Sequence, residues 1–376
     1  MLRFKEFVPG KGLKERAAGL AREEGALIRV TSASSDEETR TQLRAAFQRG
    51  DLATWGYDDA YAARAADPNA ILAGACSIIC VAIPYVSNTD ENLGAPLQGR
   101  VSNYAWPGED YHKRVRGVLS KIAQALDEFA GASVTALVCD TTPFAERAFA
   151  ARAGLGWVGK HTNLISPELG SFVFLGEIIT TLELPIDMPL KKTCGSCTRC
   201  ITACPTGALR GDYTIDATRC ISDLTQRTDD IPREMRPLIG TWIWGCDICQ
   251  LVCPPTQRAP AVQWASGDAQ PSLLALVRVH SGEFKRRYRR TAMGWRGAAV
   301  LRRNAAVALG NHGDRSSVPT LVQALNEDPH PMVRGHIAWA LGRIGSPQAF
   351  AALRERHAIE TNTTVREEIT SALSFG

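Results

Sequence analysis

The stretch that decides the fold runs from residue 194 to residue 205 and reads Cys194-Gly195-Ser196-Cys197-Thr198-Arg199-Cys200-Ile201-Thr202-Ala203-Cys204-Pro205. Its cysteine spacing, C-x2-C-x2-C-x3-C-P, is that of bacterial ferredoxins, whose thiolates hold 4Fe-4S clusters. The spacing therefore predicts iron–sulfur clusters, and it indicates that the chemistry of this chain is electron transfer.

A second cysteine group further along the chain completes the set of ligands. Cys246, Cys249 and Cys253 repeat the spacing and are followed by a proline, but Ile243 stands where the first cysteine would be. Cys220 is the replacement that the chain offers. In two-cluster ferredoxins the last cysteine of each run ligates the other cluster. The predicted ligand sets are Cys194, Cys197, Cys200 and Cys253 for one cluster, and Cys204, Cys220, Cys246 and Cys249 for the other.

Structural zinc is the alternative interpretation of paired C-x2-C motifs, because two tetrahedral sites would also use eight thiolates. The C-x3-C-P ending occurs twice and argues against zinc, since a zinc site has no need of a fourth cysteine that reaches a neighbouring site. The other cysteines, Cys76, Cys80 and Cys139, lie in apolar stretches and are predicted to be small core residues. A long chain with thiolate ligands disfavours a disulfide framework, which predicts a reducing compartment.

Length and composition predict about two or three domains and a substantial core. The chain has 376 residues, of which 45% are hydrophobic. Residues 1–5 lead directly into polar sequence, without the apolar stretch of a secretory signal. The longest apolar stretch, 71–85, is interrupted by Ser77 and Pro84 and is too short for a membrane span. We therefore expect a cytoplasmic protein without a membrane partner, and we expect it to be a monomer.

Positive charge is concentrated in one segment. Residues 278–303 contain nine Lys or Arg residues against one acid, Glu283, so the segment carries a charge of +8. Because the whole chain carries +4, the rest of the chain carries −4. Tyr288 and Trp295 are interleaved with the arginines, and this mixture is typical of surfaces that bind phosphates and unstacked bases. A run of charge is more often a solvated face. The concentration of the excess positive charge in one segment favours a nucleic-acid partner.

A repeat of 32 residues follows the basic segment. The residues that recur at this spacing are Arg302, Arg334 and Arg366, then Leu309, Leu341 and Leu373. Each unit is predicted to contain a helix of small apolar residues, a break with glycine, and a second helix such as 318–326. Such units bury their apolar faces only by stacking, which predicts an α-solenoid of HEAT-like repeats. A solenoid offers a concave surface to a macromolecule; the alternative is an appendage that only stabilises the catalytic part.

The first 190 residues are predicted to mix helices and strands. Apolar residues at helical spacing predict an amphipathic helix over 109–130, and apolar β-branched stretches predict buried strands over 77–83 and 133–139. The second strand ends at Asp140, and Thr142 is predicted to cap a helix that follows it. A carboxylate between a strand and a helix commonly faces a pocket; the alternative is that Asp140 caps the helix.

The stretch Gly154-Leu155-Gly156-Trp157-Val158-Gly159-Lys160 satisfies the dinucleotide-binding pattern G-x-G-x-x-G and nearly satisfies the P-loop pattern. Both patterns need a strand before the glycines and a helix after them. Here the residues before the glycines are predicted to be helical, and His161 stands where a P-loop has Ser or Thr. We therefore reject NAD and ATP, and predict a helix C-cap followed by a tight turn.

Together these motifs resemble the epoxyqueuosine reductase family, from about residue 50 to the end of the chain. The resemblance is carried by Asp140-Thr141-Thr142-Pro143, Glu146-Arg147, Gly154 to Lys160, Gly170-Ser171, Leu175-Gly176-Glu177, the cysteine pattern, and Arg303-Asn304 with Ala308 to Asn311. Members of the family use cobalamin and two 4Fe-4S clusters to remove the epoxide oxygen from a modified anticodon base of certain tRNAs, which completes queuosine. The resemblance, and not the spacing, implies cobalamin and the tRNA substrate.

The resemblance also implies roles for individual residues. Asp140 is expected to donate a proton to the alkoxide that epoxide opening leaves, with a pKa raised because corrin and substrate dry the pocket. Asp110 and His112 lie in a D-Y-H segment similar to the family's and are expected to line the pocket or relay protons; the alternative for His112 is a solvated helix residue. Cobalamin contacts are expected from His161, Thr162, Asn163, Gly170, Ser171, Asp247 and Ile248. Contacts to tRNA are expected from Arg286, Arg287, Arg289, Arg290, Arg302 and Arg303.

Two departures from the family's motifs limit this transfer of roles. The chain has Ser102-Asn103-Tyr104-Ala105-Trp106-Pro107-Gly108 in place of A-R-Y-A-x-G, and Gly159-Lys160-His161-Thr162 in place of G-K-N-T. A substituted side chain in either place would alter substrate binding, whereas contacts made by the backbone would be kept.

The predicted architecture has three parts and is mixed α+β and α in class. These parts are an α/β cobalamin-binding catalytic domain over 1–190, a ferredoxin-type domain with two clusters over 191–262, and a basic segment with HEAT-like repeats over 263–376 that binds tRNA. An external low-potential electron donor is implied. One rival hypothesis is a two-cluster electron carrier that docks a protein partner. The other is a corrinoid iron–sulfur reductase of a small molecule, which the basic segment and the repeats disfavour.

Overall fold

The computed structural model describes residues 9–85, 97–106, 108–262 and 269–374. Residues 1–5, on which the prediction about a secretory signal depends, lie outside these ranges, and so does Pro107. In the part of the chain that is described, no helix is long and apolar enough to cross a membrane.

Helices dominate the described residues, with one principal sheet. The strands are β1 (Leu27–Ser32), β2 (Ser77–Pro84), β3 (Arg100–Val101), β4 (Thr135–Val138), β5 (Trp157–Val158), β6 (Leu164–Ile165), β7 (Val173–Thr180) and β8 (Trp242–Trp244). The helices are α1 (Pro9–Glu23), α2 (Glu37–Gln48), α3 (Asp59–Ala65), α4 (Tyr111–Ala130), α5 (Glu146–Arg152), α6 (Arg199–Ala203), α7 (Ile221–Gln226), α8 (Ile248–Leu251), α9 (Pro254–Gln257), α10 (Leu273–Leu276), α11 (Ser281–Arg287), α12 (Ala298–His312), α13 (Val318–Glu327), α14 (Pro331–Ile344), α15 (Pro347–Ile359) and α16 (Thr363–Leu373).

The principal sheet has the strand order β1-β2-β7-β4, and every neighbouring pair is antiparallel. The N-terminal part is therefore α+β, and the prediction of an α/β domain is wrong in this respect. The prediction failed because β2 is buried at all eight positions, which does not reveal the direction of its neighbours. Such a continuous apolar strand is typical of parallel sheets, but it also arises when helices cover both faces of an antiparallel one.

Helices do cover both faces of this sheet. On one face Ile79 and Val81 of β2 pack with residues of α1 and α4. On the other face Cys80 packs near Phe149 of α5. Helix α4 confirms the amphipathic helix predicted over 109–130, and its N-cap is Asp110. Successive side chains of β2 point to opposite faces, so the sheet separates two hydrophobic cores.

The segment after β4 differs from the prediction. β4 lies at the edge of the sheet and Leu137 is 38% exposed, so this strand is not fully buried. Helix α5 begins only at Glu146, and its N-cap, Ala145, makes no side-chain hydrogen bond. Thr142 and Asp140 therefore do not cap it. Asp140 instead has a left-handed backbone with a φ of +54°, which is unusual for a residue other than glycine.

The glycine stretch forms a turn, as predicted. Gly154 follows α5 with a φ of +84°, and a Cβ atom there would collide with the carbonyl oxygen of Met188. β5 and β6 then form a short antiparallel hairpin. An α5-to-hairpin connection has neither the preceding strand nor the following helix of a nucleotide-binding loop.

The C-terminal repeats stack into a solenoid. Helices α12, α14 and α16 pack against one another as one layer, and α13 and α15 pack against them as a second layer. One hydrophobic core continues from β8 through these helices to Ala372 of α16. This arrangement confirms the predicted repeat, and α13 confirms the second helix predicted over 318–326.

Candidate active site and cluster-binding centre

Four cysteine thiols of the first predicted set are neighbours. The pKa of the Cys200 thiol is raised, first by burial and then by the adjacent thiols of Cys194 and Cys253. Burial also raises the pKa of Cys253, and the thiols of Cys194 and Cys197 add to the effect. These four side chains are the ones that the spacing assigns to one cluster, and they must lose their protons when iron binds.

The second set is gathered around Cys220. Burial raises the pKa of its thiol, and the adjacent thiol of Cys204 adds to this. Cys249 and Cys246 have thiol pKa values raised by burial and by neighbours that include Cys220. Ile243, at the position of the missing cysteine, lies in β8 and is wholly buried. A strand that fills the core thus occupies the position of the missing cysteine, and Cys220 at the start of α7 is the thiol that lies near the other three.

The glycine turn supports the first cluster loop. The backbone N–H of Lys160 donates to Cys194 Sγ at 3.4 Å, and its ammonium donates to the carbonyl oxygens of Gly195 at 2.8 Å and Cys197 at 3.2 Å. Lys160, which stands where a P-loop has its lysine, therefore holds the cysteine loop. Such hydrogen bonds around a sulfur ligand are among the features that set cluster potential.

Asp140 lies in a cluster of polar side chains at the N-terminus of α4. Tyr111 donates its hydroxyl to Asp140 Oδ2 at 2.8 Å. His112 Nε2 lies 3.2 Å from the same oxygen, an ion-pair distance without the alignment of a good hydrogen bond. His112 Nδ1 lies 2.6 Å from Asp110 Oδ1. His112 is therefore held between two carboxylates, and the alternative of a solvated helix residue is wrong.

The charges of this cluster place its proton on the imidazole. The pKa of His112 is raised to about 9, chiefly by Asp110 and then by Asp140. The pKa of Asp140 is lowered, chiefly because His112 faces its carboxylate, and Tyr111 adds a hydrogen bond. The raised pKa expected for Asp140 is an effect of corrin and substrate, whereas the protein's own groups lower it. Its side chain is 58% exposed, so burial is too weak to outweigh the imidazolium.

Two acids that the sequence analysis left without a role lie behind Asp140. The backbone N–H of Asp140 donates to Glu146 Oε1 at 2.7 Å. Burial raises the pKa of Glu146 to about 7. Glu177 on β7 is wholly buried, and its pKa is raised well above its usual range by burial and by Glu146. Burial and the neighbouring Glu146 thus favour the protonated form of Glu177. Glu146 itself holds the strained backbone of Asp140 in place.

Stacked rings connect this cluster with the second set of thiols. Tyr111 stacks on His112 at 4.2 Å between ring centroids and on Phe174 at 4.4 Å. Phe174 stacks in turn on Tyr85 at 4.2 Å. The pKa of Tyr85 is raised by burial, and Asp247 and Cys249 are among the charges that add to it. The rings thus lead from Asp140 to the neighbourhood of the second cluster.

Several residues expected to contact cobalamin are engaged within the protein. The carboxylate of Asp247 is buried and accepts from Ser102 Oγ, Asn103 N and Asn103 Nδ2. Ser171 N donates to Thr256 Oγ1 at 3.0 Å, and the two hydroxyls lie 2.9 Å apart. A Cβ on Gly170 would meet Thr256 Cα at 2.7 Å. These residues join the sheet to the cysteine-rich part, whereas Ile248 is half-buried.

The turn after Lys160 offers an unsatisfied nitrogen. His161 is 2% exposed, and within the described residues its Nε2 has no hydrogen-bond partner. Burial lowers its pKa to about 4, so the ring is neutral at pH 7. Asn163 N donates to the other ring nitrogen at 3.3 Å, and Thr162, with a φ of +65°, turns the chain between them. A neutral, oriented imidazole of this kind can hydrogen-bond to a bound group.

The basic segment adjoins the Asp140 cluster. Asp110 N donates to the backbone carbonyl of Arg290 at 2.7 Å. The exposed arginines of the expected tRNA surface are Arg286, Arg287, Arg289 and Arg290. Only tertiary structure shows this contact, because 180 positions separate the two residues in the chain.

The prediction that Arg302 and Arg303 contact tRNA is wrong, because both are buried in the solenoid. Arg302 pairs with Asp328 at 2.6 Å. Arg334, one repeat later, pairs in the same way with Glu360 at 2.9 Å, so the recurring arginine joins successive repeats. Arg303 is 0% exposed and donates to the carbonyl oxygens of Arg227, Asp229 and Leu224.

Arg303→Lys is expected to lower the free energy of unfolding by about 3 kcal/mol or more, because an ammonium cannot reach three carbonyls and Asn304 at once. Denaturant unfolding monitored by circular dichroism measures this loss. Arg289→Lys, on the exposed surface, is the matched control and is expected to change stability by less than about 0.5 kcal/mol. Equal stability of the two variants would contradict the structural role of Arg303.

Two family models match the cysteine-rich part and the C-terminal repeats. Residues 193–256 match the model "4Fe-4S double cluster binding domain", and residues 297–374 match "HEAT repeats". The matched segments contain all eight thiols described above and helices α12 to α16. With a carboxylate–imidazole cluster near these thiols, the chain is an iron–sulfur oxidoreductase, and the zinc alternative is set aside.

The N-terminal part and the known relatives identify the family. Residues 65–141 match the model "Epoxyqueuosine reductase QueG, DUF1730". Epoxyqueuosine reductase of Bacillus anthracis is 36% identical over 85% of this chain and 86% of its own length. The Escherichia coli protein of the same name is 37% identical over 74% of this chain and 75% of its own length. The chain belongs to the epoxyqueuosine reductase family.

Solved structures agree with this assignment over nearly the whole chain. Epoxyqueuosine reductase from Streptococcus thermophilus covers 96% of this chain and 98% of its own, with a TM-score of 0.89 and 30% identity. An epoxyqueuosine reductase bound to an epoxyqueuosine-modified tRNA-Tyr stem loop covers 97% of this chain and 98% of its own, with a TM-score of 0.90 and 32% identity. The Bacillus subtilis protein, with a TM-score of 0.89 and 31% identity, was solved with an aspartate-bearing catalytic loop swung out of the active site.

Proposed function

We propose that this chain removes the epoxide oxygen of epoxyqueuosine in the tRNA anticodon, with electrons that pass through two 4Fe-4S clusters to bound cobalamin. Reduction of epoxyqueuosine in tRNA follows from membership of the family. The observation that carries the finer proposal is the position of the Asp140 cluster. It adjoins the basic segment through Arg290 on one side and the second set of thiols through stacked rings on the other.

The two thiol sets fit two cubane clusters, and the turn at His161 fits cobalamin. His161 Nε2 is a buried nitrogen for which the described part of the chain supplies no partner. His161, Thr162, Asn163 and Ile248 would hold the corrin. Asp247 would act indirectly, because its carboxylate is used to hold the turn at Ser102. When bound, cobalamin supplies a reduced cobalt that can deliver electrons to an epoxide carbon.

The chain's own residues supply the protons. Removal of an epoxide oxygen as water consumes two electrons and two protons and leaves a carbon–carbon double bond. The imidazolium of His112 stores one of the two protons next to Asp140, and Asp140 delivers it to the oxygen that leaves. The second proton follows the same route after His112 takes up another proton from water. Tyr111 holds the carboxylate through its hydroxyl. A positioned acid of this kind is a general acid catalyst.

The test of this proposal is an anaerobic reaction of the purified protein with cobalamin, a chemical reductant and tRNA that carries epoxyqueuosine. Nucleoside mass spectrometry is expected to show conversion to queuosine that requires cobalamin. Cluster oxidation without conversion of the RNA would favour the electron-carrier hypothesis. Turnover of a small epoxide without RNA, with no conversion of the tRNA, would favour the small-molecule reductase.

Charge reversal of the basic segment is expected to weaken tRNA binding. Arg289→Glu with Arg290→Glu removes two exposed cations that can face phosphates, and it leaves the Arg290 carbonyl free to accept from Asp110. Affinity measured over a range of salt should fall, and the slope of log K against log salt should become shallower by about 2. Arg354→Glu, an exposed arginine on α15, is the matched control. Unchanged affinity in the double variant would place the RNA site elsewhere.

A further inference from the structure

Four aromatic side chains and one arginine form a continuous strip that no part of the proposal above uses. Tyr61 stacks on Tyr57 at 4.0 Å between centroids, and Tyr57 stacks on Trp55 at 6.1 Å. Trp55 stacks on Trp295 at 6.0 Å. The Arg296 guanidinium lies 3.7 Å from the centroid of the Trp295 ring and 5.4 Å from that of Trp55. These five residues are called the aromatic strip below.

The aromatic strip is exposed and assembled from distant parts of the chain. Trp295 is 52% exposed, and Trp55 and Tyr57 are each 38% exposed. Trp55 Nε1 donates to Asp223 of α7 at 3.0 Å, which ties the strip to the cysteine-rich part. Exposed neighbouring aromatic rings cost free energy in water and mark binding surfaces. The fold therefore gathers these rings at the surface where three parts of the chain meet.

The two ends of the aromatic strip point to what it binds. At the inner end Tyr61 lies on α3, and the Ala65 carbonyl of α3 accepts at 2.9 Å from the N–H of Ala145, the residue before Glu146, whose carboxylate accepts from Asp140 N. Burial raises the pKa of the Tyr61 hydroxyl to about 12, and Tyr57, Glu146 and Asp140 add to the effect. At the outer end Trp295 and Arg296 lie within the basic segment of residues 278–303. The strip thus runs from the candidate proton donor to the cationic surface.

We propose that the aromatic strip binds unpaired nucleotides of the anticodon loop next to the modified base, and this proposal rests on the proposed function. A base that reaches Asp140 must leave the stack of its loop, so its neighbours lose a stacking partner. Aromatic side chains replace that partner for any base, because every base has a π-face. Arginine over the outer ring adds a cation that suits the adjacent phosphate.

Nucleic acid suits the aromatic strip better than a protein partner does. Gly294, the residue before Trp295, packs against the backbone carbonyls of Tyr288 and Arg289, in the segment that carries the exposed arginines Arg286, Arg287, Arg289 and Arg290. The substrate that must reach Asp140 is itself an RNA loop. Stacked rings beside a cationic groove are the usual means of binding single strands. Docking of an electron-donor protein on the strip is the competing outcome of the test below.

The test compares Trp295→Ala with Trp295→Phe in full-length protein that contains its clusters. Binding is measured with an unmodified anticodon hairpin and with a fully paired RNA duplex of equal length. Trp295→Ala is expected to bind the hairpin about tenfold or more weakly, with the duplex affinity and the salt slope unchanged. Trp295→Phe should keep most of the affinity, since it keeps a ring. Tyr57→Ala is expected to weaken hairpin binding in the same way, which would show that the loss is not caused by a local structural change at Trp295.

Abasic nucleotides on either side of the target position provide the decisive comparison. They should weaken binding of the wild type about as much as Trp295→Ala does, and they should have little further effect on that variant. Equal hairpin affinity of wild type and both alanine variants would overturn the proposal. Slower reduction of the clusters by a low-potential ferredoxin, with hairpin binding unchanged, would overturn it in favour of protein docking. Because binding is measured without turnover, lost conversion of epoxyqueuosine by the wild type would refute the proposed function alone.

Discussion

Asp140→Asn is expected to lower the rate of epoxyqueuosine reduction by about 10²-fold or more while the protein keeps its iron and its affinity for tRNA. The amide has nearly the shape of the carboxyl group and can still accept from Tyr111, but it cannot pass a proton from His112 to the leaving oxygen. Single-turnover conversion, followed by nucleoside mass spectrometry, measures the effect directly. Asp59→Asn, at an exposed aspartate of α3, is the matched control.

The pH dependence of the reaction separates the roles of Asp140 and His112. The imidazole is protonated below its pKa of about 9, so the wild-type rate should fall as the pH rises through about 9. His112→Gln removes the stored proton, and its rate should be lower at pH 7 and nearly independent of pH in this range. If Asp140→Asn reacted at the wild-type rate, Asp140 would have no part in the mechanism. An unchanged alkaline limb in His112→Gln would assign that titration to another group.

Cys220→Ala is expected to abolish turnover and to lower the iron and sulfide content by about half. Cys220 is the proposed fourth ligand of the second cluster, and its thiol adjoins that of Cys204. In the proposed function electrons pass through this cluster to cobalamin, so its loss breaks their route. Iron and acid-labile sulfide assays on anaerobically purified protein, with low-temperature electron paramagnetic resonance of the reduced form, measure the remaining cluster.

The control for this variant is Cys76→Ala, since Cys76 belongs to neither set and is exposed, so that its prediction as a core residue is wrong. It should keep the full iron content and the wild-type rate. A full complement of iron in Cys220→Ala would show that another residue completes the second cluster. Ile243 is a poor candidate for replacement by cysteine, because its side chain is wholly buried in the hydrophobic core.

Several features of this protein were predictable because the relevant information is local. The spacing of Cys194 to Cys204 needs only a short loop to bring its thiols together, and amphipathic helix α4 follows from the periodicity of residues 109–130. The 32-residue repeat predicted the solenoid, because each unit buries its apolar face only against the next one. The glycine stretch was rightly separated from nucleotide-binding loops by what precedes and follows it.

Other features were not predictable, because they depend on contacts between distant parts of the chain. Arg302 and Arg303 extend a basic run in the sequence, but the solenoid turns them inward to bind Asp328 and backbone carbonyls. A sequence cannot distinguish an exposed arginine from one whose donors are satisfied internally. The lowered pKa of Asp140, which lies between β4 and α5, depends in the same way on His112, which approaches from α4.

The sequence by itself predicted the electron-transfer chemistry, the eight candidate thiols and the solenoid, because residue type and spacing are enough to specify each of them. It predicted the candidate acid only through the resemblance to the family. Tertiary structure alone decided the antiparallel sheet, the residence of the proton on His112, the support of Asp140 by Glu146, and the aromatic strip. The physical reason is that strand direction, protonation and stacking are set by which distant groups come within a few ångströms of one another. Periodicity along the chain carries no information about those distances.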